Sequence, residues 1–74
     1  MKVTVTLSSH LRFRRFDERG LECPPGSSPR QVLQLLGIPE RSVGILLVND
    51  RHAGLDETLK EEDRIRLLPP IGGG

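Results

Sequence analysis

The sequence predicts an α+β domain, a mixed sheet of four to five strands with one main helix packed across it. Three observations carry this prediction. Apolar and polar residues alternate near both ends of the chain, at Val3, Val5 and Leu7 and again at Ile65 and Leu67, the period of a strand with one buried face. Only the segment from Ser28 to Gly37 carries convincing helix start and stop signals. The other apolar residues fall in short runs bounded by Gly, Pro, Asn and Asp, as strands do.

In chain order, Lys2 to Leu7 is the first strand. Its parity continues through Ser9, Leu11 and Phe13, so a longer strand and a turn at Ser8-Ser9-His10 both fit. Asp17-Glu18-Arg19-Gly20 reads as a hairpin turn, with Gly20 able to take a positive φ. Leu21-Glu22-Cys23-Pro24 follows as a short strand, closed by Pro24-Pro25-Gly26. Ser28 is placed to cap the helix, Pro29 suits its first position, and Gln31 completes a capping box. Val32, Leu35 and Leu36 fall on one helical face, Gly37 is the left-handed stop with Ile38 folding back towards Leu33, and Pro39 prevents continuation. A helix of about two turns cannot stand alone, so it must lie against the sheet.

Ser42 to Val48 is a near-continuous apolar run, expected as a central strand, with Gly44 marking a bulge. Asn49-Asp50 is a turn and Arg51 to Leu55 a short edge strand with His52 exposed. Asp56 to Leu59 reads as one helical turn and Lys60 to Asp63 as a polar turn. Arg64 to Leu68 is the last strand, with Ile65 and Leu67 inward and Leu68 outward. A hairpin with one helix across a mixed sheet, and the first and last strands paired centrally, buries every apolar face so identified. That is the β-grasp arrangement, here over residues 1–68.

Composition bounds the function. Seventy-four residues with two Phe and no Trp or Tyr make one domain with a small aliphatic core. A net charge of +1 gives no electrostatic case for nucleic acid. No apolar run is long enough to span a membrane, and the alternating N-terminus is not a signal peptide, so the cytoplasm is the expected location. The single Cys23 supplies neither a disulfide nor a zinc site and, sharing parity with Leu21, is expected to pack inward. His52 has no partner at ligand spacing, and no metal site is expected. Arg12-Phe13-Arg14-Arg15-Phe16 has the look of a stacking patch. Asp17, Glu18 and Glu22 lie near enough to balance its charge, however, and the phenylalanines suit a core.

The functional signal is the tail, residues 69–74. Pro69 and Pro70 lack N–H groups and cannot extend a ladder, so the last strand ends there and a stiff spacer leaves the body. Ile71 and three glycines follow, a thin, flexible tip whose end carries an unshielded carboxylate. Six extended residues reach roughly 20 Å, far enough to enter another protein's active site. Leu68 and Ile71 flank this spacer as an apolar docking surface.

The β-grasp order, Val48-Asn49 before a short strand, Leu59 before Glu61-Glu62-Asp63, Arg64-Ile65-Arg66-Leu67 and the closing Leu68-Pro69-Pro70-Ile71-Gly72-Gly73 together resemble the ubiquitin-like sulfur carriers. That family includes the molybdopterin synthase small subunit and the carrier of thiazole biosynthesis, and the Pro-Pro-Ile-Gly-Gly ending is closer to the molybdopterin branch. Two departures stand out. Gly74 follows the usual Gly-Gly pair, so either Gly74 is the reactive terminus or it is trimmed to expose Gly73. Glu62 stands where the family's acidic turn usually carries Gly.

The resemblance implies a carrier with no bound cofactor and no catalytic side chains of its own. An E1-like enzyme would use ATP to form an acyl-adenylate at Gly74 or Gly73. Sulfur would then replace AMP to give a thiocarboxylate for a sulfur-accepting synthase subunit. Gly72, Ile71, Pro70, Pro69 and Leu68 would guide and dock the tail. The same features also fit a protein modifier joined to lysines through its terminal glycine, or a β-grasp interaction domain with an inert tail.

Overall fold

The computed structural model describes residues 1–12 and 15–70, with Ser9 and His10 described in backbone only. Five strands form one sheet: β1 (Lys2–Leu7), β2 (Glu18–Glu22), β3 (Ile45–Val48), β4 (Arg51–His52) and β5 (Arg64–Leu68), in the order β2-β1-β5-β3-β4. The first and last strands are central and parallel, with Val5 beside Ile65 and Leu7 beside Leu67, and every other pairing is antiparallel. The expected β-grasp arrangement is therefore the observed one. Helix α1 (Pro29–Leu36) supplies Val32 and Leu33 to a core completed by Val3, Val5, Leu7, Leu46, Val48, Ile65 and Leu67 of the sheet and by Leu11, Cys23, Ile38 and Leu59 of the connections.

The helix ends are those the sequence specifies. The Ser28 hydroxyl accepts from the Gln31 N–H, and the Gln31 carboxamide accepts from the Ser28 N–H at 2.8 Å. Gly37 closes the helix at φ 71°, and the Ile38 N–H donates to the Leu33 C=O at 3.0 Å. The buried stripe differs from the expected one, because Leu33 is 1% exposed and Leu35 57%. With only eight residues, two adjacent leucine stripes satisfy the same periodicity, and docking on the sheet selects the one that continues from Pro29.

Three local readings are corrected, and one left open, the exit from β1, is resolved. Asp17 to Gly20 is not a tight turn: Glu18 to Gly20 belong to β2, Gly20 pairs with Thr4, and the Leu7 N–H donates to the Asp17 C=O. A 3-10 turn over Ser9–Arg12 takes the chain out of β1 and buries Leu11. Strand β4 is only Arg51–His52, joined to β3 by Asn49 and Asp50 at φ 53° and 67°, a two-residue hairpin of the mirror-image type. Asp56 to Leu59 form no helical turn; Leu59 is instead buried and donates to the Ser27 C=O at 2.9 Å.

Of the basic aromatic cluster, Phe13 and Arg14 lie outside the described residues. Phe16 packs against the core with the Arg19 guanidinium 5.7 Å from its ring, and Arg12 pairs with Asp17 at 3.8 Å. Arg30 holds the helix start to two loops through Glu40 at 2.5 Å and Asp56 at 3.1 Å. The hydrogen bond and charge of Arg30 lower the Asp56 pKa, and the same partners raise that of Arg30. No helix among the described residues is long and apolar enough to cross a membrane.

Candidate functional site

The tail follows a strand that is held on both sides. Strand β5 pairs with β1 on one side and β3 on the other, so its course is fixed by two ladders. At its last residues the Ser8 N–H donates to the Leu67 C=O at 3.1 Å, and the Gly44 N–H donates to the Leu68 C=O at 2.8 Å. Pro69 and Pro70 then offer no N–H, and the ladder stops. Pro69 is half-buried, and Pro70 is exposed.

Register places a second set of residues beside this exit. Glu18, Thr6, Arg66, Leu47 and His52 lie in one row across all five strands, on the face opposite the helix. Ile45 and Leu68 form the next row, nearest the tail. Leu68 is half-buried rather than fully outward, because Ile45 lies beside it. Ile45, Leu47 and Leu68 thus form a small aliphatic strip leading to the tail, with the exposed Arg66 and His52 along its border. Such a strip can dock an apolar partner surface while its polar border sets orientation.

Of the expected site residues, the structure brings Leu68, Pro69 and Pro70 together at the end of β5. Ile71, Gly72, Gly73 and Gly74 lie outside the described residues. Sequence reasoning did not join Gly44, Ile45 and Leu47 to the tail. Gly44, expected to mark a bulge, also lies against the stalk: a Cβ there would come within 2.7 Å of the Pro70 nitrogen. A glycine next to a strand signals a bulge or a close backbone approach, and the close approach is the part that concerns the tail.

Among the described residues, the side chains at the exit can bind and orient but form no nucleophile–base pair. The described groups with displaced pKa values, Arg30, Arg51 and Asp56, belong to ion pairs with Glu40, Asp56 and Glu57. Among the described residues no three His, Cys, Asp or Glu side chains are grouped to hold a metal ion. Cys23 is buried in the core, as expected from its parity with Leu21.

The ThiS family model matches residues 9–74, nearly the whole chain. The chain belongs to the ThiS family. The fold is shared with solved structures of ubiquitin-like proteins at low identity. The small archaeal modifier protein 1 of Haloferax volcanii matches with a TM-score of 0.80 at 16% identity, over 95% of this chain and 98% of its own. A complex of subunits 1 and 2 of molybdopterin-converting factor from Helicobacter pylori matches with a TM-score of 0.70 at 24% identity, over 100% of both chains. Urm1 from Trypanosoma brucei matches with a TM-score of 0.71 at 22% identity, over 99% of this chain and 95% of its own. No curated protein matches in sequence. Membership of the ThiS family, the ubiquitin-like sulfur carriers, agrees with the resemblance carried by Val48-Asn49 and the Leu68 to Gly73 ending.

Proposed function

We propose that this ThiS-family protein carries sulfur on the carboxyl group of its terminal glycine and works as a substrate and small subunit, with the chemistry residing in its partners. The observation that best supports this is the exit of β5. The central strand of the sheet runs without a linker into Pro69-Pro70, so a rigid body is coupled directly to a tail that reaches roughly 20 Å when extended. Residues 1–68 are the body and 69–74 the working tail.

A terminal carboxylate has a pKa near 3.5 and is ionised at neutral pH, so it is a poor electrophile. An E1-like adenylating enzyme activates it: a carboxylate oxygen attacks the α-phosphorus of ATP, pyrophosphate leaves, and an acyl-adenylate remains. A sulfur nucleophile on a partner then attacks the acyl carbon and AMP departs. Where that nucleophile is the outer sulfur of a partner's persulfide, the product is an acyl disulfide; a thiolate of the partner then attacks the inner sulfur, forms a disulfide with it, and releases the tail as a thiocarboxylate. Glycines suit this role because the channel receiving the tail must admit backbone and exclude bulk and water. The H. pylori neighbour, a complex of two molybdopterin-converting factor subunits, supports a synthase subunit as the sulfur acceptor and the molybdopterin type as the pathway. The strip of Ile45, Leu47 and Leu68 is the docking face for such a partner.

The test is intact-mass and AMP-release measurement with the host's adenylating enzyme. Gly73→Ala and Gly74→Ala should lower turnover on the order of 100-fold or more while the melting temperature stays that of wild type. Undiminished turnover in both variants would refute the reading.

The H. volcanii neighbour, a modifier protein by name, favours a second reading in which the same activated glycine is joined to lysines of other proteins. High-molecular-weight conjugates in host cells would support the modifier. A single free species, heavier by the difference between sulfur and oxygen, would support the carrier.

A further inference from the structure

Gly44 carries a steric requirement that the carrier reading, on which this inference rests, does not itself explain. A Cβ built on Gly44 would lie 2.7 Å from the Pro70 nitrogen and 2.9 Å from the Pro69 carbonyl oxygen, and would meet the Pro70 Cα as well. All three are backbone atoms, and the proline rings fix φ on both sides, so nothing there can rotate aside as a side chain could. The other described glycines differ. Gly20 faces only the flexible end of Lys2, at 3.2 Å, and Gly26, Gly37 and Gly54 have nothing within 4 Å of an added Cβ. Gly44 is not among the positive-φ glycines, so its requirement is for space rather than for a special conformation.

We propose that Gly44 is a positioning residue for the tail: it lets the Pro69–Pro70 stalk cross the start of β3 and so sets the direction in which the tail leaves the sheet. Two features act together. The Gly44 N–H holds the Leu68 carbonyl at 2.8 Å, and the bare Gly44 Cα admits Pro70 directly above it. Any side chain at position 44 forces the stalk off this path. Because two prolines resist bending, the displacement passes on to whatever follows Pro70. A partner whose channel is aligned to a docked body then receives a misdirected tail.

The experiment compares Gly44→Ala, the control Gly54→Ala, and the double variant Gly44→Ala with Pro70→Gly. Three readouts are taken. These are thermal unfolding by circular dichroism, the scalar coupling across the hydrogen bond from Gly44 N to Leu68 C′, and ATP–pyrophosphate exchange by the host's adenylating enzyme with the carrier as varied substrate. The clash is with the stalk and not with the core, so Gly44→Ala should still fold, with a melting temperature lowered by about a few degrees at most. Its coupling to Leu68 should weaken or vanish, and KM for the carrier should rise on the order of tenfold with little change in kcat. Replacing Pro70 by glycine frees φ, lets the chain step round the new methyl group, and should recover part of the KM. Gly54→Ala should change neither coupling nor KM.

A retained coupling with wild-type KM overturns the proposal. So does a KM defect that Pro70→Gly leaves untouched and that tracks a lowered melting temperature, since that is ordinary destabilisation. If the wild-type protein itself is not adenylated, the carrier reading fails, and the coupling still decides whether Gly44 holds the stalk.

Discussion

The two ends of β5 are held in opposite ways. At its start, Asp63 and Asn49 tie the strand down through side chains. The Asp63 carboxylate accepts from the Lys60 N–H at 2.8 Å and from the Asn49 amide at 2.9 Å. The Asn49 carbonyl oxygen accepts from the Arg64 N–H at 3.0 Å, while the Asn49 N–H donates to the Arg64 C=O at 2.8 Å. At the other end the strand is held by backbone bonds, among them those from Ser8 to Leu67 and from Gly44 to Leu68, until the prolines. The strand is thus locked by a polar network at the end remote from the tail and released by missing donors at the end that delivers it. Fixing one end of a central strand in this way lets the other be aimed without a dedicated linker.

The contrast is broken most strongly within the strand itself. Ile65 is 1% exposed and touches the core, so Ile65→Ala should destabilise by about 2–5 kcal/mol, a large share of the stability of a small domain. Leu68, three residues on and half-buried on the open face, should lose only about 1 kcal/mol on truncation to alanine. The functional order should reverse: Leu68→Ala should weaken partner docking by about 1–2 kcal/mol, seen as a raised KM for the carrier, while folded Ile65→Ala keeps its affinity. Denaturant unfolding and adenylation kinetics on the same samples test this, and a Leu68→Ala protein with wild-type KM would remove Leu68 from the docking face.

A smaller effect sharpens the other end. Asn49→Ala removes two side-chain hydrogen bonds and places alanine at φ 53°, which should cost about 1–2 kcal/mol. Asn49→Gly loses the same bonds without the backbone strain, so the difference between the two variants isolates the conformational part. Neither should alter adenylation of the folded protein. A raised KM in both at full folding would mean that the two ends of β5 are coupled.

How far the sequence announces all this depends on whether the cause is local. The helix boundaries were legible because Ser28, Pro29, Gln31 and Gly37 act on backbone within one turn of themselves. The sheet order was legible because alternation in β1 and β5 marks both as half-buried, and only pairing them centrally covers both. Leu33 and Leu35 could not be told apart, since the choice belongs to the packed sheet. Gly20 has the composition of a turn, yet its strand conformation comes from the partner Thr4 opposite. For the candidate site, the stalk was legible in Pro69 and Pro70 themselves. Gly44 was not, because its significance depends on a contact with a segment more than twenty residues later in the chain.

The smallest expected effect lies in the turn that leads into β5. Glu62 adopts φ 68°, a region that penalises any residue with a Cβ, at the position where the family's acidic turn usually carries glycine. Its N–H donates to the Lys2 C=O at 2.8 Å, a bond that glycine would keep. No hydrogen bond or ion pair of the Glu62 carboxylate with a described residue opposes the exchange. Relief of left-handed strain is worth about 1–2 kcal/mol, and the greater freedom of glycine in the unfolded chain takes back about 0.5–1 kcal/mol. Glu62→Gly should therefore stabilise the protein by about 0.5–1 kcal/mol, raising the melting temperature by a few degrees for a domain of this size. Adenylation should be unaffected, since the change lies at the locked end of the strand. A lower melting temperature would show that the Glu62 side chain contributes to the turn after all, and that the polar lock at the start of β5 extends one residue further than Asp63.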